Sequence, residues 1–160
     1  MSFRVGNAFS DPRVTMRQPQ PVVLIRGTLN PAHVSAFYAT AFPELASWLN
    51  LNRIPVSGPP VTLSHIASST MMEVAAAYPV TVKVPTTQRI TMGTLPGGPV
   101  ASLIVQGSHE YLADGYDHLR AWLGENGYGP GPVSWASYIR LPDEHGDQRA
   151  CVTELSWPIA

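Results

Sequence analysis

Thr153-Glu154-Leu155-Ser156-Trp157-Pro158-Ile159 decides how this 160-residue sequence is parsed. Strand alternation puts Val152, Glu154 and Ser156 on one face and Thr153, Leu155 and Trp157 on the other. A carboxylate in such an apolar strand must be paired, solvated in a cleft or protonated. Working outward, Pro142-Asp143-Glu144-His145-Gly146-Asp147 is a polar hairpin loop joining this strand to another over 133–141. Gly129-Pro130-Gly131-Pro132 is a turn. Before it, Tyr111, Leu112, Gly115, Tyr116, Leu119, Trp122 and Leu123 form one helical stripe, with Asp114, Asp117, Arg120 and Glu125 opposite and Asn126-Gly127 as the stop signal. Arg89-Ile90-Thr91-Met92 and Pro99-Val100, joined by Leu95-Pro96-Gly97-Gly98, read as an opening hairpin. Residues 88–159 thus form a strand, turn, strand, helix, turn, strand, turn, strand unit.

The first half repeats this plan. Arg13-Val14-Thr15-Met16 answers Arg89-Ile90-Thr91-Met92, Pro21-Val22 answers Pro99-Val100, and Gly27 answers Gly107. Trp48-Leu49 answers Trp122-Leu123, and Pro60-Val61 answers Pro132-Val133. Met72-Glu73-Val74 with Tyr78-Pro79-Val80 answers the closing phrase. The offsets stay near about 76 residues, the mark of an internal repeat. Asn30-Pro31 starts the first helix, whose apolar face carries Val34, Phe37, Tyr38, Ala41, Leu45, Trp48 and Leu49, and Pro43 is expected to kink it or begin a new segment. Short strands are expected over 3–5, 22–25, 61–66 and 71–77.

The expected architecture is α+β: duplicated βαββ units, about 13–80 and 88–159, in a single domain spanning 1–160. They form one curved antiparallel sheet with a helix from each unit on the outer side and a central ligand cleft.

Charged residues make up 13% of the chain against roughly 25% in an average soluble domain. Ten basic residues without a run, at net charge -1, argue against direct nucleic-acid binding. No stretch reaches the roughly 18 apolar residues of a membrane span. The amino terminus carries no signal-peptide pattern, so a cytoplasmic location is expected. One cysteine, Cys151, allows no internal disulfide and reads as a small buried hydrophobe. His33, His65, His118 and His145 show no metal-ligand spacing with one another or with Cys151, and no metal or cofactor is expected. Ser108 and Ser137 lack a nucleophile-elbow context.

Glu154 is the leading candidate, as counter-ion to a cationic ligand or as a base positioning water. Glu73 is read as its repeat mate. Trp135 and Tyr138 fall on opposite faces of their strand; Tyr138 is favoured for the cleft and Trp135 is divided between cleft and core. Tyr111, Phe37 and Tyr38 are aromatic candidates from helical stripes. His109 reads as a helix-start residue or a general base.

The second half resembles the GyrI-like small-molecule-binding domain, also found as the effector-binding domain of AraC-type and multidrug-responsive regulators. The resemblance rests on Gly107-Ser108-His109-Glu110-Tyr111-Leu112, on Tyr116-Asp117-His118-Leu119-Arg120-Ala121-Trp122-Leu123, and on Gly127, Pro132, Tyr138, Pro142 and the closing phrase. It implies a cleft for hydrophobic, often cationic, aromatic ligands. No helix-turn-helix module accompanies it in this sequence. The family commonly has Glu two residues before the Tyr matched by Tyr138, and Ala136 stands there. The expected function is a stand-alone protein binding or sequestering such compounds. The alternative is a hydrolase of cyclopropane-type compounds, with Glu154 positioning water and Tyr138 supporting the leaving oxygen. Haem ligation by His65 or His109 and a protein partner, in the manner of gyrase-inhibitor relatives, are further alternatives; the oligomeric state is left open.

Overall fold

The computed structural model describes residues 9–66, 68–141 and 145–160, so the expected strand at 3–5 and the loop residues 142–144 lie outside the described residues. The strands are β1 (Arg13–Arg17), β2 (Gln20–Leu29), β3 (Val61–Ile66), β4 (Met72–Pro79), β5 (Ile90–Leu95), β6 (Gly98–Gln106), β7 (Ser134–Arg140) and β8 (Val152–Pro158). The helices are α1 (Val34–Leu51) and α2 (Leu112–Glu125). This is the expected α+β class, with antiparallel strands and one helix for each repeat.

Two compact units divide the chain. Pro19–Pro96 is one; residues 9–18 join Gly97–Ala160 in the other. In the first, the strands pair in the order β3-β4-β2-β5. In the second, the order is β1-β6-β8-β7. The expected opening hairpins are therefore not formed as read. β1 pairs with β6, Val14 opposite Ala101, while β5 pairs with β2, Met92 opposite Val23. The physical reason is the likeness of Arg13-Val14-Thr15-Met16 to Arg89-Ile90-Thr91-Met92: either strand satisfies either ladder and turns apolar residues to the helix side.

In the Pro19–Pro96 unit, α1 packs on β2 and β4. Ala41, Leu45 and Leu49 meet Val23, Ile25, Ala76, Val80 and Ile90, with Phe37, Tyr38, Phe42 and Tyr78 around them. Each fully buried Leu or Ile there contributes about 1.5–3 kcal/mol. Asn30 Oδ1 accepts from the Ala32 N–H at 3.0 Å and caps a 3-10 turn, Pro31–His33, that leads into α1. Pro43 neither restarts nor ends α1, which continues through it. Pro43 and Ala39, whose carbonyl loses its helical donor, are both exposed, so water can satisfy that carbonyl.

In the other unit, α2 packs on β6 and β8. Leu119 and Leu123 meet Ala101, Leu103, Val105, Ala136 and Leu155. Gly115 makes this approach possible: a Cβ there would lie 2.8 Å from Leu155 Cδ1 and 2.9 Å from Val105 Cγ2. Gly127, at φ 75°, follows α2 in the left-handed region. Trp157 Nε1 donates to the Gly131 carbonyl at 2.8 Å and ties the Gly-Pro turn to β8. No helix among the described residues is long and apolar enough to cross a membrane.

Candidate functional site

Glu154 lies on β8 between Ile104 of β6 and Ser137 of β7. Its neighbours in sequence, Thr153 and Leu155, turn to the α2 side, Leu155 into the core. Glu154 therefore turns to the other face, together with Ser156, Ser102 and Trp135, which occupy paired positions across the same three strands. Arg17 Nη2 approaches Glu154 Oε1 at 3.4 Å, and Arg17 Nε donates to Thr15 Oγ1 at 3.0 Å. The two ionic side chains keep 30% and 20% of their surface exposed. Among the described residues Glu154 has no other hydrogen-bond or ion-pair partner.

A depression of about 260 Å³ opens beside the carboxylate, lined by Ser10, Asp11, Pro12, Arg13, Ser102, Leu103, Ile104 and Glu154. Ser10 fastens its rim, because its Oγ accepts from the buried Ile104 N–H at 2.8 Å. The Ser156 hydroxyl is buried with no hydrogen-bond partner among the described residues, and Trp135 beside it is 3% exposed. Small hydroxyls, an enclosed indole, the Arg13 guanidinium and the long Arg17–Glu154 contact thus share one sheet face, with Asp11 at the rim of the depression. Trp135 and Ser156 are enclosed and do not line the depression; what it offers a cation is the Glu154 carboxylate beside the apolar edges of Pro12, Leu103 and Ile104.

Tyr138 does not join Glu154. It pairs with Thr153, on the helix side of the sheet, and its ring meets His109 edge-on at 5.2 Å. Trp135 is the residue that shares the Glu154 face, which reverses the expected assignment of the two aromatics. The cause is the phase between β7 and β8: Ser137, not Tyr138, stands opposite Glu154. Ala136 is 1% exposed and sits in the core with Leu103 and Leu155. A carboxylate there would point into apolar packing rather than toward Glu154.

Glu73 is exposed on β4, opposite Thr28 and His65. Register shows that it is not the counterpart of Glu154. Val22 stands opposite Pro79 and Val100 opposite Pro158, so the two ladders superpose on these prolines. Glu73 precedes its proline by six residues and Glu154 by four (79 − 73 and 158 − 154), so Ala75 occupies the equivalent place. The sequence match of Glu with Glu is two residues out of register.

Phe37 and Tyr38 pack on the core under α1. The Phe37 ring lies over Gly27, whose added Cβ would be 2.8 Å from it, and the Tyr38 hydroxyl is 3.5 Å from the Leu63 carbonyl oxygen. Tyr111 is not on the α2 stripe. It ends the 3-10 turn His109–Tyr111, capped by Ser108, and is 41% exposed. His109 Nε2 is buried without a hydrogen-bond partner among the described residues, and burial lowers its pKa below the ordinary value of 6.5. Burial, with Asp147 adding, raises the pKa of the Cys151 thiol above its ordinary value, consistent with a packing role. Among the described residues no cluster of three or more His, Cys, Asp or Glu could hold a metal ion.

Arg17, Asp11 and Ser102 are the site residues that sequence reasoning missed. Strand alternation sets Arg13, Thr15 and Arg17 on one face, but which strand lies beside β1 is not legible from the sequence.

Residues 10–160 match the family described as the GyrI-like small molecule binding domain. Among solved structures, the EcmrR–DNA complex in EcmrR-RPo contains a similar chain with a TM-score of 0.82 at 18% identity. That match covers 95% of this chain but only 57% of the other, so this chain spans little more than half the length of that relative. The EcmrR C-terminal domain matches with a TM-score of 0.78 at 18% identity, covering 94% of this chain and 97% of that one. SAV2435 bound to tetraphenylphosphonium matches with a TM-score of 0.66 at 12% identity, covering 94% of each chain. No curated protein matches the sequence. At these identities the structural likeness shows the fold.

Proposed function

Because the chain belongs to the family of GyrI-like small molecule binding domains, we propose that it binds or sequesters hydrophobic, cationic aromatic compounds on the Glu154 face of its β1-β6-β8-β7 unit. One observation carries this reading. Glu154 is largely buried on a face of small hydroxyls and indole, with Arg17 at 3.4 Å as its compensating charge. A delocalised cation could take the place of Arg17, release that guanidinium to water and retain the carboxylate's compensation. Pro12, Leu103 and Ile104 would supply apolar surface beside the carboxylate. Tetraphenylphosphonium, the compound held by the similar SAV2435, is a cation of this chemical class.

The reading is of a small-molecule binding domain. Its location is proposed as cytoplasmic. The hydrolytic alternative depends on Glu154 and Tyr138 acting on one substrate, and the two side chains occupy opposite faces of the sheet. Binding is therefore favoured. Titration with tetraphenylphosphonium and with a neutral tetraphenyl compound of the same shape tests it: saturable binding of the cation alone is expected. Equal binding of both would leave an apolar surface without charge recognition.

A further inference from the structure

The depression beside Glu154 carries a second charge, of opposite sign, because Arg13 lines it as well. Arg13 stands opposite Ser102 and Ser102 opposite Ser156, while Glu154 stands opposite Ile104. Arg13 and Glu154 are therefore two strands and two residues apart on one face, about 12 Å between Cα atoms at ordinary strand spacing. Ser102 lies beside the line that joins them, and its small side chain leaves that space open. Arg13 is exposed and makes no hydrogen bond or ion pair with any described residue. Asp11, at the rim, makes its own contacts.

A plain cation answers only half of this arrangement. Bound at Glu154, it leaves the Arg13 guanidinium facing a like charge on one small surface, and the two repel. An acid group on the same ligand reverses the sign of that interaction. The guanidinium fork can then make a two-point, charge-assisted contact with the acid, while an amine meets the Glu154 carboxylate. At about 260 Å³ the depression is just smaller than the roughly 300–1,000 Å³ of pockets that enclose a drug-sized ligand. A compact molecule with its two charged groups a few bonds apart fits it, with its apolar body against Pro12 and Ile104.

We propose that this site takes an amphoteric ligand, an amine that also carries a carboxylate, with Glu154 holding the ammonium and Arg13 the carboxylate. The inference rests on the reading of Glu154 as a site for positive charge and adds the acid group that Arg13 selects.

Phenylalanine, phenylalaninamide and N-acetylphenylalanine share one ring and present both charges, the cation alone and the anion alone. Each is titrated into protein labelled with nitrogen-15 at constant ionic strength and about pH 6, below the α-amino pKa. Phenylalanine is expected to bind with a Kd about tenfold below that of the amide, with saturable shifts at the Arg13, Ser102 and Glu154 amides. Arg13→Gln should weaken phenylalanine to the level of the amide and leave the amide as tight or tighter, a crossover that a general loss of structure would not give. Equal Kd values for phenylalanine and the amide, unchanged in Arg13→Gln but raised in Glu154→Gln, would overturn the role of Arg13 and leave the reading of Glu154 standing. N-acetylphenylalanine binding as tightly as phenylalanine would overturn the amphoteric ligand, and absence of saturable binding by all three would overturn both readings together.

Discussion

Arg17 and Glu154 lie 137 positions apart in the chain and are joined by a 3.4 Å contact on one face of the β1-β6-β8-β7 unit. The contact exists because β1 pairs with β6 rather than with β2, the next strand in the chain. It makes Arg17 a competitor for any cationic ligand of Glu154. Arg17→Met should therefore raise affinity for tetraphenylphosphonium, by a few-fold to about tenfold, as expected for removal of a partly exposed ion pair. Titration calorimetry at low and high salt would check this, with the gain shrinking as salt screens the wild-type pair. Lower affinity would show that Arg17 supports the site instead.

Ala136→Glu restores the residue type implied by family resemblance, but in a core position 1% exposed. The carboxylate would be enclosed by Leu103, Leu155 and α2 without a partner. A loss of about 3–5 kcal/mol is expected, as for an uncompensated buried charge, read as a lower urea midpoint. Stability within about 0.5 kcal/mol of wild type, with tighter cation binding, would contradict this placement.

His109 is neutral in the folded protein over a wider pH range than in the unfolded chain, because burial lowers its pKa from 6.5. Its stabilising contribution is therefore complete above about pH 6.5 and is lost as pH falls through that value toward the lower folded pKa. Urea unfolding between pH 8 and 5 should show this decline. His109→Phe, which keeps an aromatic ring against Tyr138, should flatten the component near pH 6. An unchanged slope would assign it elsewhere.

The core under α2 was legible from stripe and alternation alone, since Leu119, Leu123 and Leu155 follow the helical and strand periods. The face of Glu154 was legible for the same reason. What the periods could not convey was phase between strands: Trp135 and Tyr138 were correctly set on opposite faces, but their facing relative to Glu154 depended on the β7–β8 register. The choice between β1–β2 and β1–β6 pairing is likewise tertiary, because Arg13-Val14-Thr15-Met16 suits both. Arg17 could not be found until that choice was made.

Gly115→Ala gains up to about 1 kcal/mol of helix propensity. The new methyl, however, would lie 2.8 Å from Leu155 and 2.9 Å from Val105. Overpacking costs about 1–3 kcal/mol and should win. Thermal unfolding should show a lower Tm; a higher one would mean that α2 shifts outward without penalty.

The central claim is that Glu154 recognises positive charge. Quenching of tryptophan emission by tetraphenylphosphonium, compared between wild type and Glu154→Gln with a neutral tetraphenyl compound as control, tests it most directly. The account predicts saturable quenching by the cation in wild type, weakened by about 1–2 kcal/mol in the variant, with the neutral control unaffected by the substitution. Cation affinity that is the same in wild type and Glu154→Gln would contradict it.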